Sequence, residues 1–303
     1  MTQPLVSVLM ASHDGAPFIG EAIESVLAQT YPHVELIVAD DASSDATPEI
    51  VERYAQAHPG RVLLLSSDVN EGPCRARNRA LKRAGGALLC WLDQDDVWLP
   101  AKTERQAALL AARPDVGLVY TYFDAFDSES GRALPWPDGR RDAEGDVLAD
   151  LFVVGCFIGS ITTMFRREAL ERAGGRLRDR DFSIGDDYHL WLTIALDWQV
   201  ARIPEVLARY RRHAANESAR MTAGENIELW RTGLLREFVT EYPEARERLR
   251  GNLDIGLAWH TLLAARVEAR RRHPARAARL AAQAARLSSA TVLRTRLGAR
   301  TPR

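Results

Sequence analysis

An α/β fold with a mostly parallel, doubly wound sheet and helices on both faces is what this sequence predicts. Three observations lead there. Short continuous apolar runs recur through the first hundred residues, helical spacing fills the gaps between them, and two of the runs end in clustered acids. Residues 6–11 (VSVLMA) form a short apolar run broken only by Ser7, as expected for a parallel strand buried on both faces. The loop SHDGAPF follows, and Ile19, Ile23, Val26 and Leu27 then fall on one face of a helix over 19–29. Residues 34–40 (VELIVAD) form the second strand. A helix over 47–57 follows, with Asp45 as N-cap and Pro48 in its first turn.

A third strand is expected at 61–67, a helix at 74–84 and a fourth strand at 87–93. Beyond them come a strand at 116–126, a Gly/Pro-rich loop at 127–146, an apolar stretch at 151–165 and a Gly/Arg loop at 174–185. A helix at 188–195 and a short strand at 199–203 complete this part. From about 221 the composition turns to Ala, Leu, Arg and Glu, with helices at 257–270 and 275–287 separated at Pro274. The expected division is an α/β domain over 1–220 and a helical region over 221–303.

The 303 residues are 46% hydrophobic and 27% charged, ordinary values for a globular chain, and the net charge of −1 argues against nucleic-acid binding. That average hides an asymmetry. Residues 266–303 carry eleven arginines against one acid, Glu268, leaving −11 on the remainder. Such a tail suits either contact with an anionic membrane surface or a solvated helix. Cys74, Cys90 and Cys156 have no CxxC spacing, so neither a disulfide framework nor a zinc site is expected. With no signal-like leader and no apolar run long enough to span a bilayer, a cytoplasmic location, free or peripheral on the inner face of the membrane, is expected.

The chemistry concentrates at strand ends, where ligands bind in such sheets. Asp93-Gln94-Asp95-Asp96 puts three carboxylates in four residues after an apolar strand. Their mutual repulsion calls for a cation or for solvent, and hard Mg²⁺ or Mn²⁺ is suited to such oxygens. Asp40-Asp41-Ala42-Ser43-Ser44-Asp45 ends the second strand. Its acids either accept hydrogen bonds from a base or ribose or cap the next helix. Two acidic strand ends on one sheet edge favour a nucleotide cleft. No GxxxxGKS and no GxGxxG after the first strand offers a competing phosphate loop.

Taken together, VSVLMASHDG, SVLAQTYPHVELIVADDASSD, NEGPCRARNRAL, LLCWLDQDDVWLPAK, TTMFRREALERAGG, IGDDYHLWL and RYRRHAANES resemble the family 2 glycosyltransferases. The resemblance runs from about Val6 to Ser218 and implies a GT-A fold and an inverting transfer of sugar from a nucleotide-diphosphate donor, leaning to UDP. It implies that His13 and Asp41 contact the base with Asp40 beside them, and that Arg77 and Asn78 lie near the nucleotide or shape its loop. Asp93 and Asp95 would form the DxD that holds metal and ribose, Asp96 is a further ligand candidate, and His213 would approach the diphosphate or metal. The implied base lies in the Asp186-Asp187 pair, with Asp187 favoured; the same pair could simply cap the following helix.

Three positions depart from the family pattern: Asp186 for Glu, Thr193 for Arg and Ala42 for Gly. Trp98 and Trp136 are candidate sugar-stacking residues, Trp98 more readily a packing residue. The resemblance allows a polysaccharide, a lipid-linked glycan or a natural product as acceptor and does not choose among them. Two rivals are a sugar-1-phosphate nucleotidylyltransferase, whose GxGTRL-type loop SHDGAPF lacks, and a degenerate transferase acting as a scaffold.

Overall fold

The computed structural model describes residues 3–135, 143–178, 186–216 and 226–288. The chain divides into two compact units: residues 1–147 with 157–213, and 148–156 with 214–303.

The first unit is a mixed α/β body around one sheet with strand order β3 (62–65), β2 (34–40), β1 (6–12), β4 (88–91), β8 (163–166), β6 (116–127), β9 (199–212) and β5 (97–98). The strands β1 (Val6–Ser12), β2 (Val34–Asp40), β3 (Val62–Leu65) and β4 (Leu88–Trp91) are parallel, linked through α1 (Ile19–Leu27), α2 (Thr47–Ala57) and α3 (Pro73–Leu81). They obey the predicted alternation because each is apolar on both faces; β1 is buried along nearly its whole length. Ile19, Ile23 and Val26 of α1 pack with Val6, Val8, Met10 and Val38 in the principal core. Asp45 fulfils its expected role in part, since its Oδ1 accepts the Thr47 N–H at 2.9 Å where α2 begins.

The second half departs more from expectation. After the two-residue β5 (Val97–Trp98), α4 (Lys102–Ala112) packs polar side chains inward. Lys102 is fully buried there, with Nζ donating to Gln106 Oε1 (2.9 Å) and Thr163 O (3.2 Å) and lying 3.9 Å from the Trp98 ring centre. Burial holds its ammonium pKa down at about 8. No apolar stripe announces such a helix. β6 (Val116–Asp127) carries the short β7 (Ala133–Leu134) on its edge. The apolar stretch at 151–165 resolves into α5 (Leu148–Val154), a 3₁₀ turn (Ser160–Thr162) and β8 (Thr163–Arg166), the last antiparallel to both β4 and β6. After α6 (Arg167–Arg172), α7 (Asp186–Asp197) begins two residues earlier than expected and takes both candidate acids into its first turn.

β9 runs over Gln199–Arg212 rather than stopping at 203, pairing in parallel with β6 and antiparallel with β5. Its arginines hid it. Arg209 and Arg211 lie against the Phe126 ring, 4.2 and 4.6 Å from its centre, so their stems are sheet residues rather than solvated charges.

The second unit is helical: α5 with helices Ile227–Glu241, Pro243–Arg248, Leu253–Arg270 and Pro274–Leu287. A single boundary near 220 does not describe the division, because α5 clusters with these C-terminal helices. A Cβ on Gly256 would lie 2.6 Å from the Phe152 ring, so α5 and Leu253–Arg270 meet at a distance only glycine allows. Pro274 opens its helix rather than breaking one. Among the described residues no helix is long and apolar enough to cross a membrane.

Candidate active site

The carboxyl ends of β1, β2 and β4 carry the expected clusters, and hydrogen bonds join them to one another. Gln94, which no expectation singled out, is the joint between β1 and β4. Its Oε1 accepts from Ser12 Oγ (2.7 Å) and His13 N (3.0 Å), and its Nε2 donates to His13 O (2.9 Å). This close approach explains Gly15, where an added Cβ would lie 2.1 Å from Gln94 Oε1.

At the end of β2, Asp40 is buried and accepts from Ser43 Oγ at 2.5 Å. Asp41 Oδ2 accepts the N–H groups of Glu71 (3.0 Å) and Gly72 (2.7 Å), which lead into α3. Its Oδ1 is buried with no hydrogen-bond partner, 3.6 Å from Arg79. The half-exposed His13 lies beside it, Nδ1 3.0 Å from Asp41 O. Asp41 therefore orders the loop before α3 and keeps one acceptor lone pair unused. The turn itself is strained at Ala42, which sits at φ +62°, in left-handed space that favours glycine.

Arg77 and Asn78 both act from α3, in different directions. Asn78 clamps the backbone of Leu177, donating from Nδ2 to its O (2.9 Å) and accepting its N–H at Oδ1 (2.8 Å). It shapes the chain rather than facing the acids. Arg77 spans two carboxylates, with Nη2 2.6 Å from Asp93 Oδ1 and Nη1 3.2 Å from Asp186 Oδ2. Its guanidinium lies 5.5 Å from the Trp91 ring centre, and Trp91 in turn stacks on Trp191 of α7 at 5.0 Å. Those two indoles and Phe165 form the floor that sets the N-terminus of α7 beside the end of β4.

On the other side of the loop, Asp95 Oδ2 lies 2.8 Å from His213 Nε2, and the His213 ring rests on Phe18 at 4.4 Å. Burial and the nearby Asp93 push the Asp95 carboxyl up, and His213 opposes them. Arg211, which the sequence offers either as a phosphate partner or as a solvated charge, instead sets the loop: its Nε donates to Asp95 O (2.7 Å), its backbone N–H to Asp96 Oδ1 (2.8 Å), and its Nη2 pairs with Glu21. Asp96 differs from its neighbours in being fully buried, which raises its carboxyl well above the usual range.

Asp186 and Asp187 do cap α7 in the manner weighed from the sequence, Asp186 Oδ1 accepting the Asp187 N–H (2.9 Å) and Asp187 Oδ1 that of Tyr188 (2.6 Å). The same pair meets the β4 acids through Arg77. Burial first, and then Asp186, push the Asp187 carboxyl up to about 7. Thr193, where a charge was expected, is buried and donates to His189 O (2.9 Å). Trp98 is buried with its Nε1 bonded to Ile161 O (2.9 Å), a packing residue; Trp136 lies outside the described residues.

Among the described residues, no three His, Cys, Asp or Glu side chains converge to hold a metal by themselves. Asp93 and Asp95 nevertheless fit a hard divalent ion. They are two part-exposed carboxylates on one tight loop, and Mg²⁺ or Mn²⁺ takes one or two such ligands and completes its shell with water and phosphate.

Residues 7–174 match Glycosyl transferase family 2, over half of the chain. A UDP-Glc:α-D-GlcNAc-diphosphoundecaprenol β-1,3-glucosyltransferase of Escherichia coli is 31% identical over 67% of this chain and 74% of its own. The putative teichuronic acid biosynthesis glycosyltransferase TuaG of Bacillus subtilis is 30% identical over 69% and 79%. Among solved structures, S. aureus TarS residues 1–349 in complex with UDP has a TM-score of 0.60 at 18% identity, covering 99% of this chain and 93% of that one. Mannosyltransferase PcManGT from Pyrobaculum calidifontis, in complex with GDP-Man and Mn²⁺, has a TM-score of 0.58 at 23% identity over 98% and 84%. The curled, mostly parallel sheet with its acidic strand ends is thus a GT-A fold, and the chain belongs to glycosyl transferase family 2.

Proposed function

We propose that this enzyme transfers a sugar from a nucleotide-diphosphate donor, leaning to UDP, to an acceptor hydroxyl with inversion at the anomeric carbon. One observation carries the reading: Arg77 joins the strand-end acid Asp93 to the acid pair that opens α7, so donor-binding and proton-accepting groups share one cleft. In this arrangement the unused Asp41 Oδ1 accepts from the base, with His13 and Asp40 at its edge. Asp93 and Asp95 hold Mn²⁺ or Mg²⁺ with the diphosphate, His213 stands beside them, and Asp96 secures the loop from beneath. When bound, the ion offsets the charge that develops on the leaving diphosphate.

Asp187 takes the acceptor hydroxyl proton while that oxygen attacks the anomeric carbon from the face opposite the diphosphate. The bond to the diphosphate breaks as the new glycosidic bond forms. The E. coli and B. subtilis relatives are named for a diphosphoundecaprenol-linked acceptor and for teichuronic acid, which supports a lipid-linked or cell-surface glycan acceptor here. The deciding measurement is transfer from UDP-sugars and GDP-mannose to a diphosphoprenyl-GlcNAc analogue, with Mn²⁺ and with EDTA, reading the product anomer by NMR. Inversion and metal dependence are expected. A retained anomer, or equal rates in EDTA, overturns the corresponding half of the mechanism.

A further inference from the structure

The resemblance places Arg77 near the nucleotide, yet its surroundings describe another role. Its side chain is only 11% exposed. One terminal nitrogen is committed to Asp93 and the other to Asp186, and the guanidinium lies against the Trp91 indole. Moving this group onto a phosphate or base would strip Asp186, whose side chain is 6% exposed, of the cation beside it. Breaking a buried pair in that way is strongly unfavourable. The forked guanidinium suits this geometry, since each terminal nitrogen meets one carboxylate, a fixed spacing that a compact ammonium does not reproduce.

We propose that Arg77 is a positioning residue that ties the donor-side Asp93 to Asp186 and thereby leaves Asp187 as the carboxylate free to take a proton. Asp186 is spent on Arg77 and on the Asp187 N–H, whereas Asp187 has no cation in direct contact among the described residues. The division of labour between two adjacent acids then follows from a residue 109 positions away in sequence. This inference rests on the sugar-transfer reading above.

The experiment compares Arg77→Met, Arg77→Lys and Asp186→Asn with the parent enzyme in two assays: calorimetric binding of UDP with Mn²⁺, and kcat against pH at saturating donor. For Arg77→Met the expected UDP affinity is within about threefold of the parent, while kcat falls at least about thirtyfold. The acidic limb of the kcat profile moves up by about one pH unit, because Asp187 loses a cation that favours its ionised form. Asp186→Asn added to Arg77→Met costs little more, since both remove one link. If Arg77→Met does not fold, Arg77→Lys carries the same test, with the limb shifted in the same direction and kcat only partly restored. A UDP affinity loss of about tenfold or more with kcat unchanged makes Arg77 a nucleotide contact and overturns the proposal, as does an acidic limb that stays in place. A parent enzyme that transfers no sugar from any nucleotide donor overturns the sugar-transfer reading itself.

Discussion

At the scale of single residues, Asp187 and Ala42 show the protein accepting local cost in different ways. Asp187 is ionised only above about pH 7, because burial and Asp186 oppose its charge. In the proposed role of base it must be ionised, so kcat should rise about tenfold per pH unit below 7 and level off above it. Asp187→Asn should leave donor affinity intact and lower transfer by about 10²–10⁴-fold. The sign for stability is opposite. A carboxyl raised in the folded state favours the protonated form, so stability falls as pH climbs from the unfolded value towards 7. Thermal melts of Asp187→Asn should therefore exceed the parent at pH 8 and match it near pH 4; a lower melting point at both values would contradict this. Ala42 carries strain of a simpler kind. Ala42→Gly relieves the left-handed φ of +62° while loosening the unfolded chain, for a net gain of about 0.5 kcal/mol by denaturant titration. No gain would mean that the turn is held at no cost.

At the scale of elements, the β1 loop and the β4 loop act as one piece through Gln94. Gly15→Ala would drive a methyl into the Gln94 amide and break its three bonds to Ser12 and His13. A loss of about 1–3 kcal/mol in stability is expected, with UDP affinity down about tenfold. Shortening the partner in Gly15→Ala/Gln94→Ala should recover much of the stability but not the affinity. Additive losses in the melts would show that the two positions do not meet. Gln94 was invisible beforehand because an amide among three carboxylates carries no charge signal; only the backbone approach at Gly15 reveals it. The acids themselves were legible, since Asp40, Asp41, Asp93 and Asp95 sit at the ends of apolar strands that periodicity alone defines. Elements whose buried faces are polar were not: α4 packs Lys102, Thr103 and Gln106 inward, and β9 hides beneath its arginines. Arg77 was legible as a cation, but its partner Asp186 lies on an element far away in sequence, as Glu21 does for Arg211.

At the scale of the molecule, charge is distributed unevenly between the parts. The helix Pro274–Leu287 turns Ala277, Leu280, Ala284 and Leu287 inward and leaves Arg276, Arg279 and Arg286 exposed. If this basic face meets a membrane, the full chain should sediment with phosphatidylglycerol vesicles at low salt and be released near 0.5 M NaCl. Removing residues 274–303 should abolish that binding while UDP affinity stays unchanged. Equal binding to neutral vesicles, or an unaffected truncated chain, would assign the arginines to solvation alone.

The place of β9 in the sheet has a consequence for how the protein is made. Residues 199–212 fill the gap between β6 and β5, so an interior strand is the last of the sheet to leave the ribosome. Until then the twelve-residue β6 has a long unpaired edge, and neither Asp95 nor Asp96 has its partners from β9 and His213. Synthesis therefore passes through a stage in which most of the first unit exists with an open, apolar edge, the state most prone to pair with another chain. Stalled chains ending at residue 196 should aggregate or remain bound to chaperones, while those extended past residue 213 with a linker should become protease-resistant. The nascent enzyme acquires its sheet closure and the proposed donor site in the same few residues of translation.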